Sequence, residues 1–381
     1  MKNVMALFLT IIIVACASNQ SGHHGTMQVP KTVDSTKLKE LTDLREEYIA
    51  SGRYKEALEV SSKLIELMPD SALFYLARGD DYAKVDKYQE ASADYEKALS
   101  LDRGDLAKKP PVYFNIGTTY LNWGKNPEAI TYFDKAIKLD RRYVQALVHR
   151  GVAYHNIGKF DLAKADFDTA LSLDANNALA YRYRANIYGL ANNYGKVVAD
   201  LNKCLELDPK RYSQDPAVFG NRGVAYRELR KLKEAVEDFD RAISLNPQYV
   251  FALVNRARAY SDLKKYDVAF KDFDMAIGYE PNNPDALFWR GALYYSTDKL
   301  ASALEDFKKV VKLNPRHIVA HLLITGVYSQ QNNIEEACRW LRKTVVAAQG
   351  TGFNNWNYLK TGKEFEEVRK ASCYNEVIPS K

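Results

Sequence analysis

Between residue 38 and about residue 347 the chain alternates short amphipathic stretches with polar turns. Within each stretch apolar residues recur at i, i+3 or i+4 and i+7, the spacing that keeps them on one face of a helix. Turns such as Asn156 to Phe160 separate neighbouring stretches and predict paired helices, each pair a hairpin. The pattern then repeats itself. RGVAY at Arg150–Tyr154 returns unchanged at Arg222–Tyr226. Aligned on that phrase, the chain carries a small residue, Tyr three positions on, Ala nine later, then an aromatic or Leu, then Ala. Gly151, Tyr154, Ala163, Phe167 and Ala170 form one such set, and Gly223, Tyr226, Ala235, Phe239 and Ala242 another. Small residues allow two helices to approach, and the aromatics fill the space between them. Proline after the second helix, as at Pro69, Pro209, Pro247, Pro281 and Pro315, sets the stop. One hairpin cannot bury its apolar face alone, so successive hairpins are expected to stack into a continuous core.

The period is 34, as from Gly223 to Ala257 to Gly291, and this unit resembles the tetratricopeptide repeat. The resemblance implies an all-α, right-handed superhelical solenoid of about nine helical hairpins, starting near residues 38, 72, 110, 144, 178, 216, 250, 284 and 318. Two steps are 38 instead of 34, from Gly79 to Gly117 and from Ala185 to Gly223. The four extra residues fall around Arg103–Lys109 and Arg211–Asp215 and predict lengthened connections. After Thr344 the pattern ends. Trp356, Leu359, Phe365 and Val368 predict a helical cap over the last hairpin within residues 348–381.

Packing does not explain one recurring pair. Counting each repeat so that RGVAY begins at position 7, arginine stands there at Arg78, Arg150, Arg184, Arg222, Arg256 and Arg290. The same six repeats carry aspartate at position 23: Asp94, Asp166, Asp200, Asp238, Asp272 and Asp306. The third repeat has Ile116 and Tyr132 instead, so both charges are present or both absent. That co-occurrence predicts a structural ion pair between the two helices of one hairpin. An aspartate paired with the next repeat's arginine fits less well, because Asp94 would then face Ile116.

In this repeat family the first helices line a concave groove, and the resemblance implies that positions 2, 5, 6, 9, 12 and 13 face a ligand. Position 6 gives Asn115, His149, Tyr183, Asn221 and Asn255. A side-chain amide can bond both the N–H and the C=O of an extended peptide, so spaced asparagines suit a peptide or protein partner. Simple solvation of these asparagines is the competing reading. Arg182, Asn186, Arg227 and Arg258 add groups suited to an acidic side chain or a terminal carboxylate. The chaperone carboxylate clamp needs Lys at position 5 and Asn at position 9. Its first repeat would place them at Thr42 and Glu46, so that function is not expected.

Composition changes this picture little. The net charge is +6, from 54 basic and 48 acidic residues intermixed without a basic block, so nucleic acid is not an expected partner. No phosphate loop, nucleotide fingerprint, HExxH or CxxC occurs, and the expectation is a protein without enzymatic activity, metal or cofactor. His317 and His321 are four apart, one in a turn and one at a packing position. His149 and His155 are expected on the groove face. Cys204 stands at a small core position. Cys338 and Cys373 can oxidise in an exported protein, although sequence leaves their pairing open.

The N-terminus predicts export. One lysine precedes the apolar run Val4–Val14, which is too short to span a bilayer, and small residues follow. Ile13-Val14-Ala15-Cys16 resembles the bacterial lipobox, implying a signal peptide over 1–15 and a lipid on Cys16. Residues 16–37, with His23 and His24, would be a flexible tether. Ala15-Cys16-Ala17 also fits an ordinary cleavage site, with release of a soluble peptide-binding chaperone or regulator. In the first case Ala17, not being aspartate, implies the periplasmic face of the outer membrane over the inner membrane. Tetratricopeptide lipoproteins of this type act as cell-wall hydrolase adaptors, as pilotins for a secretin or pilus, or in outer-membrane assembly. The resemblance thus implies a membrane-anchored scaffold in one such role.

Overall fold

A computed structural model describes residues 34–102, 104–351 and 356–378. The expected signal peptide, Cys16, His23, His24 and the tether up to residue 33 lie outside the described residues. Among the described residues every regular element is helical, and no helix is long and apolar enough to cross a membrane.

The chain divides into two compact units, residues 1–187 and 188–381. The first unit contains four hairpins: α1 (Ser35–Ala50) with α2 (Tyr54–Leu67), α3 (Ala72–Lys84) with α4 (Tyr88–Leu101), α5 (Pro110–Asn122) with α6 (Asn126–Leu139), and α7 (Val144–Asn156) with α8 (Phe160–Leu173). The division falls within α9 (Ala178–Leu190). The second unit begins with α10 (Tyr194–Leu207) and the short α11 (Pro209–Tyr212). Four hairpins follow: α12 (Pro216–Glu228) with α13 (Leu232–Leu245), α14 (Val250–Asp262) with α15 (Tyr266–Tyr279), α16 (Pro284–Ser296) with α17 (Leu300–Leu313), and α18 (Ile318–Gln330) with α19 (Ile334–Ala348). The cap holds α20 (Asn357–Thr361), a 3-10 turn at Lys363–Phe365, α21 (Glu366–Arg369) and α22 (Ser372–Val377).

The array begins three residues before the expected start. Asp34 accepts from the N–H groups of Thr36 and Lys37 and so nucleates α1 at Ser35. Each hairpin turn is closed by one residue in the left-handed region, such as Gly158 at φ 74° and Lys264 at φ 60°. The next N–H then bonds back into the first helix, as Lys265 does to Tyr260 at 2.8 Å.

Inside the hairpins the small-residue rule has a geometric cause. A Cβ on Gly79, Gly117, Gly151, Gly223 or Gly291 would lie 2.6–2.8 Å from a ring carbon of Tyr95, Phe133, Phe167, Phe239 or Phe307 respectively. Each of these rings is essentially fully buried. The two four-residue insertions contribute core as well as length. Asp102 accepts from the N–H groups of Asp105, Leu106 and Ala107, folding the first insertion so that Leu106 is buried. The second insertion contains α11, capped by Asp208, and buries Tyr212.

The cap packs as expected on the last hairpin. Leu359, Phe365, Val368, Cys373 and Ile378 are buried against Leu322, Ala337 and Leu341. Cys338 on α19 is joined by a disulfide to Cys373 on α22, with Cα atoms 5.8 Å apart and a sequence separation of 35. Closing a loop of that length stabilises the native state by about 2–4 kcal/mol through the unfolded chain. Cys373→Ser is therefore expected to lower the denaturation midpoint of the second unit, as will reductant on the natural chain. Hydrogen exchange should show α20–α22 opening first. Equal protection of the cap in oxidised and reduced protein would reject this.

Candidate functional site

The repeated Arg–Asp pair forms, and it is structural. Arg78, Arg150, Arg222, Arg256 and Arg290 each donate through Nε and Nη2 to both carboxylate oxygens of Asp94, Asp166, Asp238, Asp272 and Asp306, at 2.6–2.8 Å. These aspartates are buried, as is Asp200. A fork-to-fork arrangement of this kind fixes two helices in angle as well as distance.

The structure adds a second set of partners outside the hairpin. The remaining Nη1 of Arg150, Arg184, Arg256 and Arg290 donates to Asp134, Asp168, Asp240 and Asp274, at position 25 of the preceding repeat, at 2.6–2.8 Å. Arg222 finds Asn202 at that position, at 2.7 Å. The guanidinium groups of Arg150, Arg222, Arg256 and Arg290 therefore each link their own hairpin to the repeat before. Where the third repeat lacks the pair, aromatic rings occupy the space. Tyr132 stacks on Tyr120 at 5.4 Å and on Tyr113 at 6.4 Å.

Asp238 is pushed up in pKa, since burial outweighs the Arg222 guanidinium that would lower it. The pair thus contributes chiefly through what its loss would leave behind. Asp238→Ala is expected to cost about 1–3 kcal/mol by stranding Arg222, which keeps Asn202 and some solvent. Adding Arg222→Leu should recover much of that loss. Equal midpoints for the single and double variants in thermal unfolding would reject the stranded-charge account.

The residues expected on the groove face behave unequally. In the first unit Asn115, Arg182, Tyr183 and Asn186 are partly buried. His149 packs its ring on Phe114 and Phe133, at 5.0 and 6.0 Å, with Nδ1 2.8 Å from the Gln145 carbonyl oxygen. His155 lies edge-on to Phe160 and Tyr183, and burial pulls its pKa down. Both histidines thus serve packing in part. Of the other pair, His317 caps α18 by accepting from the Ala320 N–H at 3.1 Å, and His321 is buried beside Trp340.

In the second unit the asparagine row needs a further correction. Asn221 is partly buried, whereas Asn255 is only 6% exposed. Its Nδ2 donates to the Phe251 carbonyl at 2.8 Å and its Oδ1 accepts from Arg258 Nη1 at 3.1 Å. Both ends of the amide are engaged inside the protein, so Asn255 does not read a peptide backbone. It orients Arg258 instead. That guanidinium lies 3.9 Å from the ring centroid of Trp289 on α16, a cation–π stack. Burial, then the charge of Arg227, pull Arg258 down to about 10. Arg227 on α12 is buried, paired with Glu228 and 4.0 Å from Asp262. Three successive first helices therefore bring Arg227, Arg258 and Trp289 to one place. Trp289 was not among the expected residues. It stands at position 6 of its repeat, one period beyond Asn255, which was the signal available.

Among the described residues no group of three or more His, Cys, Asp or Glu is assembled as a metal site. Two models described as tetratricopeptide repeat match this chain, one over residues 110–143 and 216–249, the other over 72–105, 144–177 and 252–283. A third, described as anaphase-promoting complex, cyclosome, subunit 3, matches residues 273–344. The chain is 32% identical over 91 residues to the Hsp70-Hsp90 organizing protein of Triticum aestivum, covering 24% of this chain and 15% of that one. It is 34% identical over 71 residues to the photosystem I assembly protein Ycf3 of Acaryochloris marina (strain MBIC 11017), covering 18% of this chain and 42% of that one. The matches thus span less than half the length of either relative. A solved structure of YrrB, described as a TPR protein with an unusual peptide-binding site, is similar at 23% identity and a TM-score of 0.41. It covers 49% of this chain and 95% of that one. With its consecutive helical hairpins and repeated packing residues, the chain belongs to the tetratricopeptide repeat proteins, a family of protein-interaction scaffolds.

Proposed function

We propose that this chain is a membrane-tethered adaptor that holds an extended segment of a partner protein against its first helices. The observation that supports this most is the meeting of Arg227, Arg258 and Trp289 on three successive first helices. A fold whose packing needs only small and aromatic residues has no use for them. The Arg–Asp ladder, by contrast, is occupied in holding hairpins together. The tether part of the reading rests on the lipobox-like Ile13–Cys16 and places the protein at a bacterial envelope membrane, where an adaptor role in assembly fits.

Partner capture from solubilised native membranes tests the adaptor reading, comparing the natural chain with a folded Asn115→Ala/Asn221→Ala variant. A partner retained by the first and lost by the second supports it. A partner retained by both places binding elsewhere. Membrane fractionation of Cys16→Ala tests the tether, and an unchanged membrane fraction would reject a lipid on Cys16.

A further inference from the structure

We propose that the exposed face shared by α17 and α19 is a docking surface for an anionic lipid bilayer. This goes beyond the adaptor reading and rests on a different part of the chain. Positions 25, 26 and 29 of each repeat lie on the solvent side of the second helix. In the first seven repeats they hold no more than one charge in excess of either sign, as Asp240, Arg241 and Ser244 do. The eighth repeat has Lys308, Lys309 and Lys312 there, and the ninth has Arg342, Lys343 and Val346. Part of the change has a local cause. Asp240 and Asp274 at position 25 accept from the arginine of the next repeat, whereas the ninth repeat has Ile324 in place of that arginine. Lys308 donates instead to Tyr328 Oη at 2.8 Å, and the Lys343 ammonium lies 4.0 Å from the Trp340 ring centroid. Arg342 pairs with Glu376 at 3.1 Å. Packing gives no such reason for the rest. Lys309, Lys312 and Arg316 are exposed, and among the described residues their charged heads form no ion pair.

The two helices act as one surface. Lys309, Lys312 and Leu313 share a face at the end of α17, and Arg316 follows in the turn; Arg342, Lys343 and Val346 share a face of α19. Trp340 of α19 packs in one core cluster with Phe307, Val310 and Val311 of α17, which sets those faces side by side. The acidic groups of α19 stand apart, with Glu335 and Glu336 in its first turn paired to Arg339. Among the basic residues Val346 is 64% exposed, the most of any large apolar side chain among the described residues, and Leu313 is 43% exposed. That mixture selects the occupant. A nucleic-acid backbone or a single phosphate would leave the apolar tips in water, whereas a bilayer takes them at the boundary of headgroups and acyl chains. Each lysine or arginine near anionic headgroups adds attraction, which salt weakens.

The test uses the full chain with Val346→Trp, checked for an unchanged unfolding midpoint, and reads the emission added to that of the four native tryptophans. Vesicles of brominated phosphatidylcholine are supplied with and without brominated phosphatidylglycerol. Bromine quenches tryptophan only on contact, so a chain held on the vesicle by another segment gives no signal from this position. The added emission is expected to be quenched saturably by the phosphatidylglycerol vesicles. Omitting that lipid, or adding Lys309→Gln, Lys312→Gln and Lys343→Gln together, should weaken the effect at least about tenfold. An unquenched added tryptophan overturns the proposal. So does equal quenching by phosphatidylcholine alone, or quenching unchanged by the three glutamines. An emission change with an oligonucleotide or pentaglutamate, while vesicles leave the tryptophan unquenched, gives the patch to another partner and likewise overturns it. The readout needs neither a native partner nor a lipid on Cys16, so its failure leaves the adaptor and tether readings standing.

Discussion

Asp81→Ala is expected to destabilise the first two repeats by about 3–5 kcal/mol, the largest effect of removing any one charge among the described residues. Arg45 on α1 donates Nε and Nη2 to both oxygens of Asp81 on α3, each at 2.7 Å, and Nη2 also reaches the Ala77 carbonyl at 2.9 Å. Arg45 is 5% exposed and Asp81 1%, so this pair is far drier than the repeated ladder. Burial raises the pKa of Asp81 even against the attraction of Arg45. The sign matters. A carboxyl whose folded pKa lies above its unfolded value loses native stability as pH rises between the two. The ionised pair is thus no net gain over a neutral filling of the same space, whereas truncating Asp81 alone leaves a buried cation without a partner. Asp81→Leu with Arg45→Leu should accordingly recover most of the loss at pH 7. Hydrogen exchange reads this directly, because neighbouring repeats support one another and α1 and α2 should lose protection first. Equal protection in the single and double variants would falsify the stranded-arginine account.

This pair also shows where sequence reasoning stopped. The period was legible because few residues satisfy a close helix approach and the chain repeats them. Arg45 and Asp81 occupy positions 8 and 10, where the other repeats place small or apolar residues such as Gly79, Gly117, Ala153 and Ala225. An alignment built to find the rule passes over its exceptions. A charged residue at a glycine position was the available signal. The hairpin ion pair was legible from co-occurrence, and Arg150 and Asp166 meet as expected. The second link to Asp134 was not, since position 25 varies among Asp, Asn, Glu, Ser, Lys and Arg across the array. Spacing revealed both insertions, but not that Leu106 and Tyr212 would plug the core.

The candidate site was less legible for a different reason. Positions facing a groove can be counted from the repeat, but the direction in which a polar side chain spends its hydrogen bonds cannot. Asn255 turns to Phe251 and Arg258, a choice that counting positions does not reveal. Cys338 and Cys373 pose the same problem, because sequence separation says nothing of distance. Their pairing depends on how residues 356–378 fold back on the last hairpin.

Phe167→Ala is the second large effect, with an expected loss of about 3–5 kcal/mol from the fourth hairpin. The ring is fully buried, and a Cβ on Gly151 would come within 2.6 Å of it, so the glycine and the phenylalanine define one shared volume. The chain itself shows how that volume can be redistributed. The seventh repeat places Ala257 opposite Phe273, so a small displacement of the ring accommodates one methyl group. Gly151→Ala is therefore expected to cost only about 1–2 kcal/mol. The fifth repeat carries Ala185 and Leu201 at the same two positions, a larger residue on one side and a smaller one on the other. Gly151→Ala combined with Phe167→Leu should accordingly cost less than the sum of the two single changes, because the methyl enters space the ring has left. Denaturant unfolding of the four variants closes this cycle. A strictly additive result would mean that the two sites relax independently, and steric sharing would then fail as the reason that five repeats pair glycine with an aromatic ring.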